Sequence, residues 1–255
     1  MKHILLAVAL LFSAHLARSA PIGAVVQSSN YDQVKGITTV RIVNTSQKLI
    51  TAVSVSLRLA HPDGTISISQ YGGDFLPFMA YAAASGIPQQ QGNGGLAPGA
   101  VFAMEVPTGQ QLVQTTSATV DVVVYDDATA DVLNEPVFRS ITLGRKGRVL
   151  GLQRAAALLQ KALADPNDPH PSITVTAQLK ALAAQHDKNP STGGEAFEGV
   201  GLLEAATDIS NAPKSPSGRS QEEDDYLRGL IKTHENRVSF SLPHTQLTKQ
   251  VRPRS

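Results

Sequence analysis

Four of the chain's twelve aromatic side chains, Tyr71, Phe75, Phe78 and Tyr81, fall within eleven consecutive positions and bracket the carboxylate of Asp74. Aromatic faces beside a hydrogen-bonding group can stack on a sugar ring or grip a side chain of a protein partner. The stretch from Tyr71 to Leu96 also holds Gly72-Gly73, Pro77, Pro88 and Gly92-Asn93-Gly94-Gly95, so it reads as a long loop, the place where a rigid scaffold carries its recognition surface. The competing use of the same residues is structural: Phe75, Leu76, Phe78 and Met79 would plug the open end of a sandwich.

Asp126, Asp127, Asp131 and Glu135 crowd one loop. Such oxygens can hold Ca2+, and Asp126, Asp127 and Asp131 form the candidate set, but the Asp-x-Asp-x-Asp-Gly spacing is missing and aspartates are ordinary turn formers. His234-Glu235 begins like a zinc-peptidase motif, yet Val238 stands where the second His belongs. His61, His170 and His186 sit in a turn, between prolines and at a helix end. Gly-x-Ser-x-Gly and the phosphate-cradling glycine loops are absent, and with no cysteine there are no disulfides, thiol nucleophiles or thiolate metal sites. No cofactor is implied, and a hydrolase built on Asp74 and Asp127 is a third reading after protein and glycan binding.

These residues need a frame. In Ile50 to Leu59 the side chains of Val53, Val55, Leu57 and Leu59 share one parity while Ser54, Ser56 and Arg58 take the other, which predicts a strand with one apolar face. His61-Pro62-Asp63-Gly64 turns it into Thr65 to Ser69, a hairpin. Strands are also expected at Ile22–Val26, Ile37–Val43, Ala100–Val106, Ala118–Tyr125 and Val137–Leu143. About seven short strands separated by turn residues predict a two-sheet sandwich over 20–144 and a mainly β chain.

Val43-Asn44-Thr45-Ser46, the strand Ile50 to Leu59, and Leu96-Ala97-Pro98-Gly99 together resemble the immunoglobulin-like sandwich domains of bacterial exported proteins. The resemblance implies an Ig-like antiparallel sandwich with the Leu-x-Pro-Gly turn at a sheet corner. It covers the first half of the mature chain and carries no functional residue across.

The period changes after Gly147. Val149, Leu152, Ala155, Ala156, Leu159 and Leu163 recur at three- and four-residue steps, with Arg148, Gln153, Arg154 and Gln160 outside. Asp165 to Pro171 ends that helix, and Ser172 or Thr174 caps a second, giving a helical hairpin over 145–186. Residues 187–219 read as a linker with a weak helix interrupted by Gly199 and Gly201. Ser220-Gln221-Glu222-Glu223 is a capping box for a helix over 220–236, whose narrow apolar stripe of Tyr226, Leu227, Leu230 and Ile231 needs a surface and is a candidate for gripping a partner. Residues 237–255 read as a flexible tail.

Met1-Lys2-His3 followed by apolar Ile4 to Phe12 and a small-residue exit near Ser19 reads as a signal peptide over 1–19. Nine apolar residues are too few for a bilayer, which takes about 20, so no membrane span is expected. A net charge of +1 gives no argument for nucleic acid, but its distribution is uneven. No Lys or Arg occurs between Leu59 and Phe138, whereas Arg139 to Lys161 is purely basic, so the two stretches are expected to face each other. Taken together, these features predict an exported, non-enzymatic binding or scaffold module, periplasmic or extracellular, that recognises a protein partner. The alternative is a carbohydrate- or ligand-binding sandwich using 71–81.

Overall fold

A computed structural model describes residues 22–86, 94–109, 113, 115–188, 197–216 and 218–250. The leader-like segment 1–19, the loop residues 87–93, the linker residues 189–196 and the end of the tail at 251–255 lie outside these described residues.

Strand β3 (Ile50–Ala60) pairs antiparallel with β4 (Ile66–Asp74) on one side and β6 (Thr115–Tyr125) on the other. The β3–β4 turn closes through His61 N–H to Thr65 O (2.9 Å), with Asp63 accepting from the Thr65 N–H and Gly64 taking φ +83°. With β7 (Thr129–Val132) and β8 (Thr248–Lys249) these strands form a five-stranded sheet in the order β4-β3-β6-β7-β8. A second sheet has the order β1 (Ala24–Asp32), β2 (Ile37–Asn44), β5 (Val101–Pro107).

The sheets share an aliphatic core: Val40, Ile42 and Val106 from one meet Val53, Val55, Leu57, Val120 and Val123 from the other. Asn44 ties the sandwich corner. Its buried amide donates to Leu96 O (2.7 Å) and Lys48 O (2.8 Å), and its Oδ1 accepts from Ser46. The Asn44-Thr45-Ser46 loop and the Leu96-Ala97-Pro98-Gly99 turn are thereby one feature in space.

The expectation of a mainly β chain is corrected by the helices. About 46 % of the described residues are helical and 30 % are strand, so the molecule is an α/β mixture. Part of the difference is α1 (Leu76–Ser85), in the stretch that reads as a loop. Pro77 lies in the first helical turn, where a missing N–H costs nothing, and Gly86 ends the helix in the left-handed conformation (φ +65°).

The other part is 137–143, which reads as a strand but opens α2 (Glu135–Ala164). The Asn134 side chain accepts from the Val137 N–H and Pro136 occupies the first turn. Val137, Phe138 and Ile141 then lie on one helical face against Ala52, Val122, Val124 and Ala130. The part of the five-stranded sheet built from β3 and β6 is therefore buried on both sides.

Helix α2, about 45 Å long at 1.5 Å per residue, runs off the sheet into a helical layer. There Leu152, Ala155 and Leu159 pack with Val175 and Leu179 of α3 (Pro171–Lys188) and with Leu202, Ala205 and Ile209 of α4 (Glu198–Ser210). Gly151 and Gly201 sit at the α2–α4 crossing. A Cβ on Gly201 would meet Arg148 O at 2.5 Å, so the backbones touch only because neither residue has one.

Helix α5 (Gln221–Ser241) runs five residues beyond 236, and Leu242–Thr245 adds a 3-10 turn. Within the stretch that reads as a flexible tail, β8 then pairs parallel with β7, and Lys249 reaches Glu135 at 2.6 Å. Its backbone groups are satisfied by the sheet, which accounts for the order.

Candidate functional site

Three helices and the end of one strand bring six charged side chains to one place. On α2, Arg145 and Arg148 are three residues apart and share a face. Arg145 turns to the sheet: its Nε and Nη2 donate to the two Asp74 oxygens at 3.1 and 2.9 Å, and Nη2 also reaches Thr51 Oγ1 at 3.1 Å. Thr51 lies at a register shift in β3, where the ladder is interrupted and a side chain can be re-aimed. Arg148 turns to α4 and donates to Glu204 at 2.9 Å. One turn on, Asp208 accepts from Arg237 of α5 at 3.0 Å and faces His234 Nε2 at 3.3 Å, while Arg237 also contacts Glu204.

Arg145, His234 and Arg237 are at most 2 % exposed. Burial, reinforced by the neighbouring Arg148, pulls the Arg237 guanidinium down to about 10, and burial lowers Arg148 as well against the opposing pull of Asp74. Both remain cations at neutral pH. Arg237 lies over the Tyr81 ring, 5.6 Å from its centroid, which adds a cation–π contact.

Asp74, Arg148, Glu204, Asp208 and Arg237 of this network form the floor of a cleft of about 490 Å3. Pro77, Phe78 and Tyr81 of α1 supply one wall, with Phe78 60 % and Tyr81 44 % exposed. Of the aromatic stretch, the structure thus brings Asp74, Phe78 and Tyr81 together. It sends the others elsewhere: Phe75 is buried edge-to-face against Phe102 at 5.1 Å, and Tyr71 leans on the sandwich core.

The acidic loop does not converge. Asp127 pairs with Lys48 at 2.6 Å and Thr129, Asp131 is buried under the Tyr125 hydroxyl and the Gly23 N–H, and Asp126 faces solvent. No three metal-ligating side chains come together among the described residues. The α5 stripe is spent inside the molecule: Leu227 and Ile231 are buried in the helical layer, Leu230 packs against it, and the Tyr226 hydroxyl donates to Asp208 O.

Arg148, Glu204, Asp208, His234 and Arg237 escape a reading of the sequence as site residues. The available signal is helical spacing, with Glu204 and Asp208 four apart and His234 and Arg237 three apart, each pair on one face. The basic run of α2 does meet acids, but only Arg145 meets the acid-rich half, at Asp74. Arg148 and Arg154 pair with Glu204 and Glu198 of α4.

No family model, curated protein or solved structure matches the chain. Among the described residues no helix is long and apolar enough to cross a membrane.

Proposed function

We propose that the protein is an exported, non-enzymatic binding module that holds a protein partner at the cleft rimmed by Phe78 and Tyr81. One observation carries this reading: two aromatic rings stay exposed at the rim of a cleft whose floor is a half-buried Arg–carboxylate network. Aromatic rings and arginines are the residue types that dominate binding energy at protein interfaces. A partner's apolar side chain would cover the rings, and a neighbouring polar group would exchange hydrogen bonds with Arg148 or Asp208. Catalysis is disfavoured because Glu204 and Asp208 accept from guanidinium groups, which do not exchange protons near neutral pH, and the imidazole beside Asp208, His234, is fully buried and does not line the cleft. Export rests on the basic start and apolar run of 1–12, and N-terminal sequencing of the mature protein from periplasmic and secreted fractions tests it.

Selection of a displayed peptide library on the whole chain tests the cleft. Selected peptides should carry an apolar residue next to a charged one and weaken about 30-fold on the Phe78→Ala, Tyr81→Ala double variant, as hot-spot loss does. Undiminished binding to that variant would end this reading. A neutral saccharide is the second reading, favoured by charge balance: Arg145, Arg148 and Arg237 against Asp74, Glu204 and Asp208 sum to zero. Binding on a glycan array that the same variant loses would select it.

A further inference from the structure

A second pocket, of about 330 Å3, opens between α3 and the residues that close α4. On α3, Ser172, Thr176 and Lys180 follow at four-residue steps and line it, and Ser210 and Lys214, also four apart, face them. Ile173 and Ala177 supply the apolar part of the wall.

Thr176 is the informative residue. Three other helical threonines, Thr142, Thr207 and Thr233, each give their hydroxyl proton to the carbonyl one turn back, at 2.9 to 3.1 Å. Thr176 does not: its Oγ1 is buried and has no partner, so a donor in the pocket wall is left unspent. Of the flanking hydroxyls, Ser210 donates to Thr207 O and the 2 %-exposed Ser172 donates to Glu223 Oε1 at 2.5 Å.

Neither Lys180 nor Lys214 has a carboxylate within salt-bridge distance among the described residues, and both are exposed at the mouth. No carboxylate is among the lining residues, and Glu223, buried behind Ser172, has its Oε1 taken by the Ser172 N–H and hydroxyl. Two ammonium groups against one sequestered carboxylate leave the pocket net positive.

We propose that this pocket binds a small organic phosphomonoester. The two ammonium groups and the Thr176 hydroxyl hold the phosphoryl oxygens, and Ile173 and Ala177 flank the ester's carbon body. A charged oxygen acceptor is what two ammonium groups and an unspent hydroxyl complement. The space is within the roughly 300–1,000 Å3 typical of small-molecule sites, so a ligand larger than the bare ion is accommodated. The pocket shares no lining residue with the Phe78–Tyr81 cleft and stands independently of the function proposed there.

Titration of the isotope-labelled whole chain, followed by NMR, tests this with phenyl phosphate, inorganic phosphate, benzoate and phenol. Saturable shifts at Thr176, Lys180 and Lys214 are expected with phenyl phosphate, weaker ones with inorganic phosphate and none with phenol. The Lys180→Met, Lys214→Met double variant should lose about tenfold or more in affinity, the Lys180→Arg, Lys214→Arg variant should keep it, and Thr176→Val should weaken it without changing the fold. Absence of saturation with phenyl phosphate up to about 10 mM, undiminished binding by the methionine variant, or equal affinity for benzoate would each overturn the assignment.

Discussion

The Arg145 guanidinium grips the Asp74 carboxylate with two donors, joining α2 to the end of β4 across 71 positions of sequence. Arg145 is buried, whereas the Asp74 side chain keeps 26 % of its surface and also accepts from the Leu76 N–H that begins α1. One carboxylate therefore anchors the helical layer to the sheet and starts the helix that carries the cleft aromatics.

Asp74→Ala should destabilise the fold by roughly 3 kcal/mol, the lower end for breaking a buried pair because Asp74 is partly solvated. Urea denaturation measures it. Adding Arg145→Met to that variant should restore part of the loss, since an uncompensated buried charge is the costly species. A further loss in the double variant would show that Arg145 stabilises through Thr51 and packing instead.

Gly201→Ala should cost about 1–3 kcal/mol by overpacking, read as a lowered Tm, because the new Cβ would meet Arg148 O at 2.5 Å. The same change at Gly229, where a Cβ would meet nothing within 4 Å, should leave stability unchanged or raise it.

Phe75 and Phe78 differ by three positions and by role. Phe75→Ala should cost about 3–5 kcal/mol, since its ring is buried against Phe102. Phe78→Ala should change stability by no more than about 0.5 kcal/mol while weakening any cleft ligand. Equal destabilisation by both would place Phe78 in the core.

His244, in the 3-10 turn after α5, has its pKa held below the ordinary 6.5 by burial and then by Arg145, with Asp126 and Asp74 opposing. As pH falls through about 6.5 the unfolded chain takes up this proton before the native chain does, so stability drops there and is unaffected by this group above about pH 7.5. Denaturation midpoints from pH 7.5 to 5 should fall less steeply in His244→Asn than in the parent. An equal or steeper fall would remove His244 from the account.

Residue periodicity made much of the fold legible. The alternation of Val53, Val55, Leu57 and Leu59 marks the face that meets the other sheet, and the Ser220 cap, whose Oγ accepts from the Glu223 N–H, starts α5. The same box is used only in part. The Glu223 carboxylate leaves its own helix end for Ser172, a partner 51 residues away. Helix α1 was illegible because Pro77 looks like a breaker until its first-turn position is known. The short apolar run Val137–Leu143 also fits either a strand or a helix.

By itself the sequence determined which faces of β3, of the later part of α2 and of α5 are apolar, and where α5 begins, because those preferences are local and repeat every two or 3.6 residues. It also determined that positive charge is concentrated on α2. Tertiary structure alone decided which carboxylate each arginine meets: Asp74 for Arg145, Glu204 for Arg148, and Glu204 with Asp208 for Arg237. On an isolated helix those arginines belong to the polar face and read as solvated. They become a network, with Arg145 and Arg237 buried and Arg148 half-buried, only when the glycine crossing brings α4 onto α2 and the helical layer closes over the sheet.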